Sequence, residues 1–285
     1  MIPAFFRLRQ VAVTASTNED AKQAAIDGEA EGLVVQALRQ TAGRGRQGRV
    51  WESPEGNLYM SVLLRPACGP QAAGHYSFVA ALAVFDTVRA FLPQAEVLLK
   101  WPNDVLVNGK KISGLLLEAA PVENGRMDWL VLGIGVNVLH HPENALYPTT
   151  SLAAEQGRPR SSPLEGEARW GVGSVGDVVA SSAPAGRDLP PNPPPQGGRA
   201  LSAVLEELLC ALDRWRRVLE AEGFAPVRAA WLARARTGAL TIRLPQESFD
   251  GTFVGLDGNG CLIVRLANGA ERTIAAGDVF FPPRD

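Results

Sequence analysis

Residues 39–51 read Arg39-Gln40-Thr41-Ala42-Gly43-Arg44-Gly45-Arg46-Gln47-Gly48-Arg49-Val50-Trp51, with four arginines and three glycines. Within this stretch, residues 43–48 match the pattern G-x-G-x-x-G. A dinucleotide-binding turn also needs a strand running into the glycines, a helix directly after them and an acidic residue about 20 positions on. Residues 51–57 (WESPEGN) are typical of a turn instead. A phosphate-binding P-loop is also excluded, because Gly48 is followed by Arg and Val rather than by Lys and Ser or Thr.

The same loop has the composition of an anion-binding segment. Glycine lets the backbone approach a ligand closely, and guanidinium groups bind carboxylate or phosphate oxygens through paired hydrogen bonds. We therefore predict a clamp for phosphate and carboxylate groups. Composition alone leaves two alternatives open, which are a solvated basic loop and an arginine-glycine tract that binds RNA.

The composition of the whole chain limits the classes of protein to consider. It has 285 residues, with 28 Lys and Arg against 30 Asp and Glu, so the net charge of −2 argues against a general nucleic-acid binder. Cys68, Cys210 and Cys261 form no C-x-x-C pair, and neither a zinc site nor a disulfide framework is predicted. The N-terminal residues lack the apolar stretch of a signal peptide, and no run of about 18 apolar residues occurs. We expect a cytoplasmic protein without a membrane partner.

Outward from the loop, the spacing of apolar residues alternates between helical and strand-like periods. Helices are predicted over residues 16–27 and 72–91, ended by Gly28 and Pro93. Asn108-Gly109 predicts a type I′ hairpin turn, because both central residues of that turn need positive φ. Strands are predicted over residues 32–38, 97–99, 105–107, 112–118 and 129–137.

The second half of the chain begins with a change in composition. Residues 156–200 contain 8 Pro, 8 Gly and 5 Ser, and include the run PPNPPP, so we predict an extended and largely disordered insertion. From Leu201 apolar residues recur every three or four positions, which predicts an amphipathic helix to Glu222. From Leu240 short strands alternate with turns, which predicts a small β-barrel. The expected domains are residues 1–235, interrupted by the insertion, and residues 236–285.

Three more places combine polar or charged residues with glycine. Residues 100–104 (KWPND) lead into the predicted hairpin, and the second strand of that hairpin contains KISG at residues 111–114. Lysines beside a turn are usually solvated. Gly114, however, would let a ligand approach the backbone. Residues 16–19 (STNE) match a capping box, and a helix N-terminus also suits small polar or anionic groups. Residues 133–137 (GIGVN) put alternate glycines on one face of a strand, which fits either a close ligand or a bulge.

Taken in chain order, five motifs resemble those of the biotin protein ligases: residues 16–18, Gln40 with 43–46, residues 100–104, 111–114 and 133–137. The resemblance covers residues 11–154 strongly, and residues 201–281 through their helix and terminal barrel. It implies an α+β fold, in which a mixed-sheet catalytic domain of the biotin/lipoate ligase type precedes a small SH3-like β-barrel. Two departures are the insertion, where the family has a short connection, and Gln47, where another basic residue is common.

The resemblance also implies which residues hold each substrate. It implies Arg46 and Lys111 as catalytic residues at the junction of the biotin carboxylate and the ATP phosphates, and a loop over residues 41–51 that closes on the adenylate. It also implies that Mg²⁺ is held through the ATP phosphates, with Asp104 as a candidate ligand. The other metal ligands are unknown. The implied biotin-binding residues are Ser16, Thr17, Asn18, Gln40, Gly43, Arg44, Gly45, Arg46, Lys111 and Gly114. The implied ATP-binding residues are Arg46, Arg49, Trp51 as the adenine platform, Asn103, Asp104, Lys111 and Asn137.

The implied activity is that of an ATP-dependent, AMP-forming ligase with Mg²⁺. Such an enzyme converts biotin into biotinyl-5′-adenylate and transfers it to a lysine of a biotin carboxyl carrier domain, for example that of acetyl-CoA carboxylase. Because only fifteen residues precede Ser16, no DNA-binding repressor activity is expected. The alternatives are a lipoate or octanoate ligase or transferase, an anion- or RNA-binding protein, and a biotin-binding module without catalysis. A homodimer is left open.

Overall fold

The computed structural model describes residues 1–123, 126–143, 145–156 and 196–282. Of the insertion predicted to be disordered over residues 156–200, residues 157–195 lie outside the described residues. Residues 196–200 form the start of a helix, so the prediction is wrong for this part of the insertion. Within the described ranges, no helix is both long enough and apolar enough to cross a membrane.

The described chain forms fourteen strands, six α-helices and one 3₁₀ turn. The strands are β1 (Arg7–Thr14), β2 (Leu33–Gln40), β3 (Leu58–Leu64), β4 (Val97–Lys100), β5 (Asp104–Val107), β6 (Lys110–Ala119), β7 (Val122–Glu123), β8 (Arg126–Met127), β9 (Leu130–Val136), β10 (Ala239–Arg243), β11 (Ser248–Leu256), β12 (Leu262–Arg265), β13 (Glu271–Ile274) and β14 (Asp278–Phe280). The helices are α1 (Thr17–Ile26), α2 (Pro70–Ala73), α3 (His75–Phe91), α4 (Leu152–Glu155), α5 (Gln196–Glu222) and α6 (Phe224–Leu232), and the 3₁₀ turn is Arg46–Gly48.

The larger sheet has seven strands in the order β1-β2-β3-β9-β6-β5-β4. β1 and β2 are parallel and the other neighbours are antiparallel, so the expected mixed sheet is confirmed. The predicted turn at Asn108-Gly109 is confirmed as well, since both residues have positive φ, 49° and 77°. This hairpin joins β5 to β6, and its register places Asp104 at the start of β5 between Lys100 at the end of β4 and Gly114 of β6.

Helices cover both faces of the larger sheet. On one face, α1 packs its alanines against β2, β3 and β9. On the other face, α3 packs against the sheet and against α5, whose apolar stripe follows the predicted three-and-four spacing. The predicted helix over residues 72–91 is divided at Gly74 into α2 and α3. Because each strand sends alternate side chains to each face, the two faces form separate apolar clusters.

The smaller sheet has five antiparallel strands in the order β13-β12-β11-β10-β14, and forms the expected SH3-like unit. It packs on the larger domain, and its apolar side chains belong to the same core as α3 and α6. Trp101, just after β4, donates from Nε1 to the carbonyl of Gly260 at 3.0 Å. A Cβ atom at Gly260 would approach Phe78 to 2.6 Å, so only glycine fits this contact. The small unit is therefore fixed close to the segment that follows β4.

Several elements differ from the sequence expectation. The strands β1 and β3 and the helix α6 were not predicted, and α5 begins at Gln196 rather than Leu201. β1 has no fully buried residue, so it carries no strong apolar alternation. β3 is the opposite case, because all seven of its residues are buried and the period of two disappears.

Asn57, at the start of β3, organises the chain after β9. Its Oδ1 accepts hydrogen bonds from the backbone N–H groups of Val138, Leu139 and His140 at 2.8, 2.9 and 3.0 Å. Its Nδ2 donates to the His140 carbonyl at 3.0 Å. The side chain is only 2% exposed. One amide group therefore satisfies four backbone groups that have little access to water.

We expect Asn57→Ala to lower the free energy of unfolding by about 3 kcal/mol, because it leaves several buried polar groups without partners. Urea denaturation of the purified protein measures this. Asn268→Ala is the control, because Asn268 Oδ1 accepts one backbone hydrogen bond, from Ala270, in an exposed turn, and its loss should be clearly smaller. Equal losses for the two variants would show that the buried hydrogen bonds of Asn57 contribute little.

Candidate active site

A cavity of about 280 Å³ lies at the meeting point of β2, β6, β9, the arginine loop and the first residues of β14. Its position at strand ends explains why short polar motifs far apart in the sequence can share it. The cavity is lined by residues 16–18, 44–46, 49–52, 59–60, 100–104, 114–116, 133–135, 145–147 and 278–279, together with Gln40, Lys111, Asn137, Pro142 and Thr149.

One end of the cavity is polar and uncharged. The Thr17 backbone N–H and hydroxyl both donate to Gln40 Oε1, at 2.9 and 3.2 Å. Gln40 Nε2 donates to Ser53 Oγ at 2.9 Å, which fixes the orientation of the amide. Ser16 occupies the N-cap position of α1 with extended backbone, but its side chain makes no capping hydrogen bond. The predicted capping box is therefore wrong, although the predicted helix start is confirmed.

Asn18 links this polar end to the charged surface behind it. Its side chain is 4% exposed, and its Oδ1 lies 2.5 Å from Ser61 Oγ on β3. Its Nδ2 donates to Glu118 Oε2 at 2.7 Å, and Lys22 donates to the other Glu118 oxygen at 2.7 Å. Burial alone would raise the pKa of Glu118, but the hydrogen bonds from Lys22 and Asn18 lower it. The carboxylate therefore stays ionised and holds Asn18 in place.

The arginine loop forms the cover of the cavity. Arg46 is partly buried, which lowers the pKa of its guanidinium, and its Nη1 lies 3.4 Å from Asn103 Oδ1. Arg44 pairs with Glu19 of α1, and Arg49 pairs with Asp278 at the start of β14. The backbone turns sharply between them, with φ of 57° at Gln47 and 72° at Gly48. The loop thus touches both the first helix and the small sheet.

At the other end, one buried carboxylate lies between two lysines. Lys111 Nζ lies 2.7 Å from Asp104 Oδ1, and Lys100 Nζ lies 3.1 Å from Asp104 Oδ2. Burial alone would raise the pKa of Asp104, but the ammonium groups of Lys111 and Lys100 lower it to about 2. Burial lowers the pKa of Lys100, and Asp104 opposes that effect. Two positive charges facing one negative charge leave this end of the cavity cationic.

Trp51 rests on the cavity floor. Its ring lies on Gly114 of β6 and Gly135 of β9, which face each other in register, and a Cβ atom at Gly135 would come within 2.7 Å of it. The buried indole Nε1 has no hydrogen-bond partner among the described residues. Lys111 Nζ is 5.4 Å from the centre of the ring. The alternating glycines of residues 133–137 thus make room for an aromatic side chain and, at Gly133, for Asn18.

All the site residues predicted from the sequence line this cavity, with one exception. Gly43 is part of the loop but does not line the cavity, and a Cβ atom there would meet the Trp51 carbonyl at 2.5 Å and Ser53 Oγ at 2.6 Å. Asn137 lines the cavity and is 3% exposed, with its Nδ2 donating to the Thr150 carbonyl at 3.0 Å.

Lys100, Tyr147 and Asp278 are among the cavity residues that were not predicted as site residues. Lys100 stood in a motif that was noticed, but it could not be distinguished there from a solvated lysine. Nothing in the local sequence around Tyr147 or Asp278 indicates a site, because folding alone brings them to the cavity.

The described side chains do not form a resident metal site. Among residues 1–123, 126–143, 145–156 and 196–282, no group of three or more His, Cys, Asp or Glu side chains could hold a metal ion. Asp104, the implied candidate ligand, has both oxygens facing lysine ammonium groups, which repel a cation. Asp104 therefore acts as a counter-ion for lysine in this structure.

Comparisons with known proteins agree with this geometry. Residues 11–137 match the Biotin/lipoate A/B protein ligase family, and residues 240–281 match the Biotin protein ligase C terminal domain. The fold and the cavity thus define the class of biotin and lipoate ligases. The solved structure of the biotin protein ligase from Aquifex aeolicus in complex with biotin and ATP has a TM-score of 0.68 and 24% identity, with 96% of this chain and 97% of that chain covered, which supports the fold.

Two curated relatives show to which family within this class the chain belongs. The Biotin--[acetyl-CoA-carboxylase] ligase of Paracoccus denitrificans is 37% identical over 95% of this chain and 99% of its own length. The Bifunctional ligase/repressor BirA of Bacillus subtilis is 30% identical over 93% of this chain and 71% of its own length. The chain belongs to the biotin protein ligase family.

The low pKa of Asp104 predicts how stability depends on pH. A carboxyl whose folded-state pKa lies near 2, below its ordinary value of 3.8, stabilises the folded state above about pH 4 and loses this effect as the pH falls towards 2. We expect Asp104→Asn to be less stable than the wild type at pH 7, because two lysines lose their counter-charge.

The stability difference between these two proteins should shrink by about 2 kcal/mol between pH 4 and pH 2. Urea denaturation of both proteins at several pH values measures the difference directly, and carboxyl groups common to both cancel. A difference that stays constant over this range would contradict the assigned pKa.

Proposed function

We propose that this protein activates biotin with ATP to biotinyl-5′-adenylate and transfers the biotin to a lysine of a biotin carboxyl carrier domain, releasing AMP and pyrophosphate. The observation that carries the proposal is that one cavity joins an uncharged polar end at Thr17 and Gln40 to a cationic end at Arg46 and Lys111. Biotin has the matching arrangement, with a ureido ring at one end and a carboxylate at the other.

The cationic end suits the first reaction step. Attack of the biotin carboxylate on the α-phosphorus brings two anions together, so fixed positive charge lowers the barrier where negative charge builds up. Five cationic side chains line the cavity against three carboxylates. Arg46 on the loop and Lys111 on β6 approach the proposed junction of the biotin carboxylate and the ATP phosphates. Pyrophosphate is the leaving group of this step. The second step needs only the carrier amine, which attacks the anhydride carbonyl and displaces AMP.

Substrate binding at the glycine floor requires the loop to move. Trp51 now covers Gly114 and Gly135, where the proposed biotin site and adenine platform meet. Closure of residues 41–51 over the adenylate would also exclude water, which otherwise hydrolyses the mixed anhydride. Magnesium would enter bound to the ATP phosphates, as part of the substrate. A cytoplasmic location fits ATP as substrate and the three free cysteines.

We expect Lys111→Ala to reduce biotin-dependent exchange of pyrophosphate into ATP by about 100-fold or more, because it removes charge at the reacting phosphate. Lys110→Ala is the matched control. Lys110 is the preceding residue on β6, it is exposed, and its partner Glu155 is 3.7 Å away. The exchange rate of the Lys110→Ala variant should equal that of the wild type.

The wild-type exchange reaction tests the proposed function itself. Biotin should support exchange and yield biotinyl-adenylate by mass analysis, whereas lipoate and octanoate should not. Exchange that depends on lipoate or octanoate would indicate a lipoate or octanoate ligase instead. RNA binding that depends steeply on salt, together with no response to biotin, would reject the hypothesis that this protein is a biotin ligase.

The open sheet edge at β1 is the proposed docking site for the carrier domain. The opposite edge, β4, is covered, because Leu99 exchanges backbone hydrogen bonds with Arg234 and Arg236. Among the residues that the structure describes, β1 pairs only with β2. The strand leads directly into Ser16 at the cavity, and its Val13 is 53% exposed. An extended segment of the carrier can pair with such an edge through its backbone.

We expect Val13→Arg to raise KM for a carrier domain by about tenfold while pyrophosphate exchange stays unchanged, because adenylation does not involve the carrier. Val254→Arg is the control, since Val254 is similarly exposed but lies on β11 of the small sheet. NMR titration with a carrier domain should shift amides of β1. No shift at β1, or shifts that follow the concentration of this protein alone and so indicate a homodimer, would reject this docking site.

A further inference from the structure

We propose that Glu118 is a positioning residue that makes the polar end of the cavity an acceptor of hydrogen bonds, and that it thereby selects a ligand with a ring urea. Glu118 lies outside the set of residues that line the cavity. It acts through Asn18 and Ser61 and does not touch the substrate. The proposal rests on the function proposed above, because the ureido ring of biotin carries two N–H donors.

The first step is the orientation of the Asn18 amide. An ionised carboxylate only accepts hydrogen bonds, so the Asn18 NH₂ group must face Glu118 Oε2, at 2.7 Å. Lys22 Nζ lies 2.7 Å from the other oxygen and stabilises the ionised form. Ser61 and Gly133 are paired across β3 and β9, and a Cβ atom at Gly133 would approach Asn18 Oδ1 to 2.2 Å. The amide is thus held against the sheet, with its oxygen directed at Ser61.

The second step transmits this orientation to Thr17. Ser61 Oγ lies 2.5 Å from Asn18 Oδ1 and 2.7 Å from Thr17 Oγ1. Because Asn18 Oδ1 can only accept, it takes the single proton of Ser61. The short contact between the two hydroxyls then uses the proton of Thr17, and a lone pair of Thr17 Oγ1 is left to accept from a ligand. Ser61 is 0% exposed, so no solvent water competes for its proton.

Gln40 is oriented from the opposite side in the same way. Ser53 Oγ donates to the Trp51 carbonyl at 2.9 Å, so it accepts from Gln40 Nε2 at 2.9 Å. Gln40 Oε1 then accepts the Thr17 backbone N–H at 2.9 Å. The Thr17 hydroxyl has one proton for Gln40 Oε1 at 3.2 Å and for Ser61 at 2.7 Å. With the proton on the shorter contact, Gln40 Oε1 keeps a lone pair for a ligand.

The polar end therefore offers two acceptors, Thr17 Oγ1 and Gln40 Oε1, to a ligand in the cavity. A ring urea satisfies them with its N–H groups. The octanoate chain and the dithiolane ring of lipoate have no N–H group, so they would leave both acceptors buried without partners, which is costly. Specificity for biotin thus follows from the direction of the hydrogen bonds in this chain as well as from the shape of the cavity.

Glu118→Gln should reverse this direction, because Lys22 determines how the new amide turns. Lys22 Nζ only donates, so it takes the oxygen of the new amide, and the new NH₂ group faces Asn18. The Asn18 amide then turns over and donates to Ser61, which passes its own proton to Thr17. The Thr17 hydroxyl must now donate to Gln40, and both acceptors are lost to the ligand.

The experiment measures biotin binding by calorimetry, and KM for biotin, KM for ATP and kcat by pyrophosphate exchange. We expect Glu118→Gln to raise Kd and KM for biotin by about 30-fold, with KM for ATP and kcat within about twofold of wild type, because the cationic end is unchanged. Asp128→Asn is the matched control. It breaks another pair of a carboxylate with a basic side chain in the larger domain, that with Arg65, and should change none of these values.

Rescue by a second substitution separates the direction of hydrogen bonds from a structural role. In the Glu118→Gln background, Lys22→Met removes the donor that fixes the new amide, whose oxygen can then turn to Asn18. We expect Lys22→Met alone to keep biotin affinity within about threefold of wild type, and to recover about tenfold of the affinity lost in Glu118→Gln. Unchanged biotin affinity in Glu118→Gln, an equal rise in KM for ATP, or additive losses in the double variant would overturn the proposal.

If Glu118→Gln alone does not fold, the double variant decides. Its biotin affinity should lie within about threefold of that of Lys22→Met, and a loss greater than about tenfold overturns the proposal.

Failure of the proposed function is distinguishable from failure of this inference. If the wild type binds biotin but shows no biotin-dependent exchange, the function fails, whereas calorimetry with biotin still compares Glu118→Gln with wild type. Weaker binding in the variant supports the role of Glu118 in that case also, and equal binding rejects it. A wild type that binds no biotin rejects both, since the polar end is then not a site for a ring urea.

Discussion

The site depends on one buried carboxylate that keeps two lysine ammonium groups together. Asp104 faces Lys100 across the β4–β5 pair and Lys111 at the start of β6, so the register of two hairpins is needed to assemble the three charges. Without Asp104, two like charges would repel each other in a space with little water, where such repulsion is strong. With it, a net positive charge stays at a fixed place, which is the condition for stabilising negative charge that develops in a reaction.

The floor of the cavity follows from the pairing of the neighbouring strands β6 and β9. Gly114 and Gly135 are direct partners across β6 and β9, so two missing side chains coincide and a flat area of backbone is exposed to the cavity. Trp51 rests on this area, and Gly133 makes similar room for Asn18. Glycine weakens a strand, yet here it stands in strands that neighbours pair on both sides, where the sheet compensates for the loss.

Local chemistry made much of this arrangement predictable from the sequence. The Asn108-Gly109 turn requires positive φ, so it could be predicted without knowledge of distant contacts, and the structure confirms it. The arginine-glycine loop could be chosen as a candidate site from its composition alone, and the structure places it at the cavity. β1 could not be predicted in the same way, because an edge strand without a buried face lacks the alternation that reveals strands. Asp278 is 229 positions from Arg49, and only the docking of the small sheet brings the two together.

Ser16 shows why a local rule failed at the site. A Ser at the N-cap with Glu three residues later ordinarily stabilises a helix by about 1 kcal/mol through its hydroxyl. Here the backbone adopts the N-cap conformation, but the Ser16 side chain makes no capping bond, and Ser16 is one of the residues that line the cavity. Glu19 pairs with Arg44 and Lys22 instead of capping the helix. Helix α1 can form without the cap because its alanines pack against β2, β3 and β9, so tertiary packing rather than local hydrogen bonding fixes where it starts.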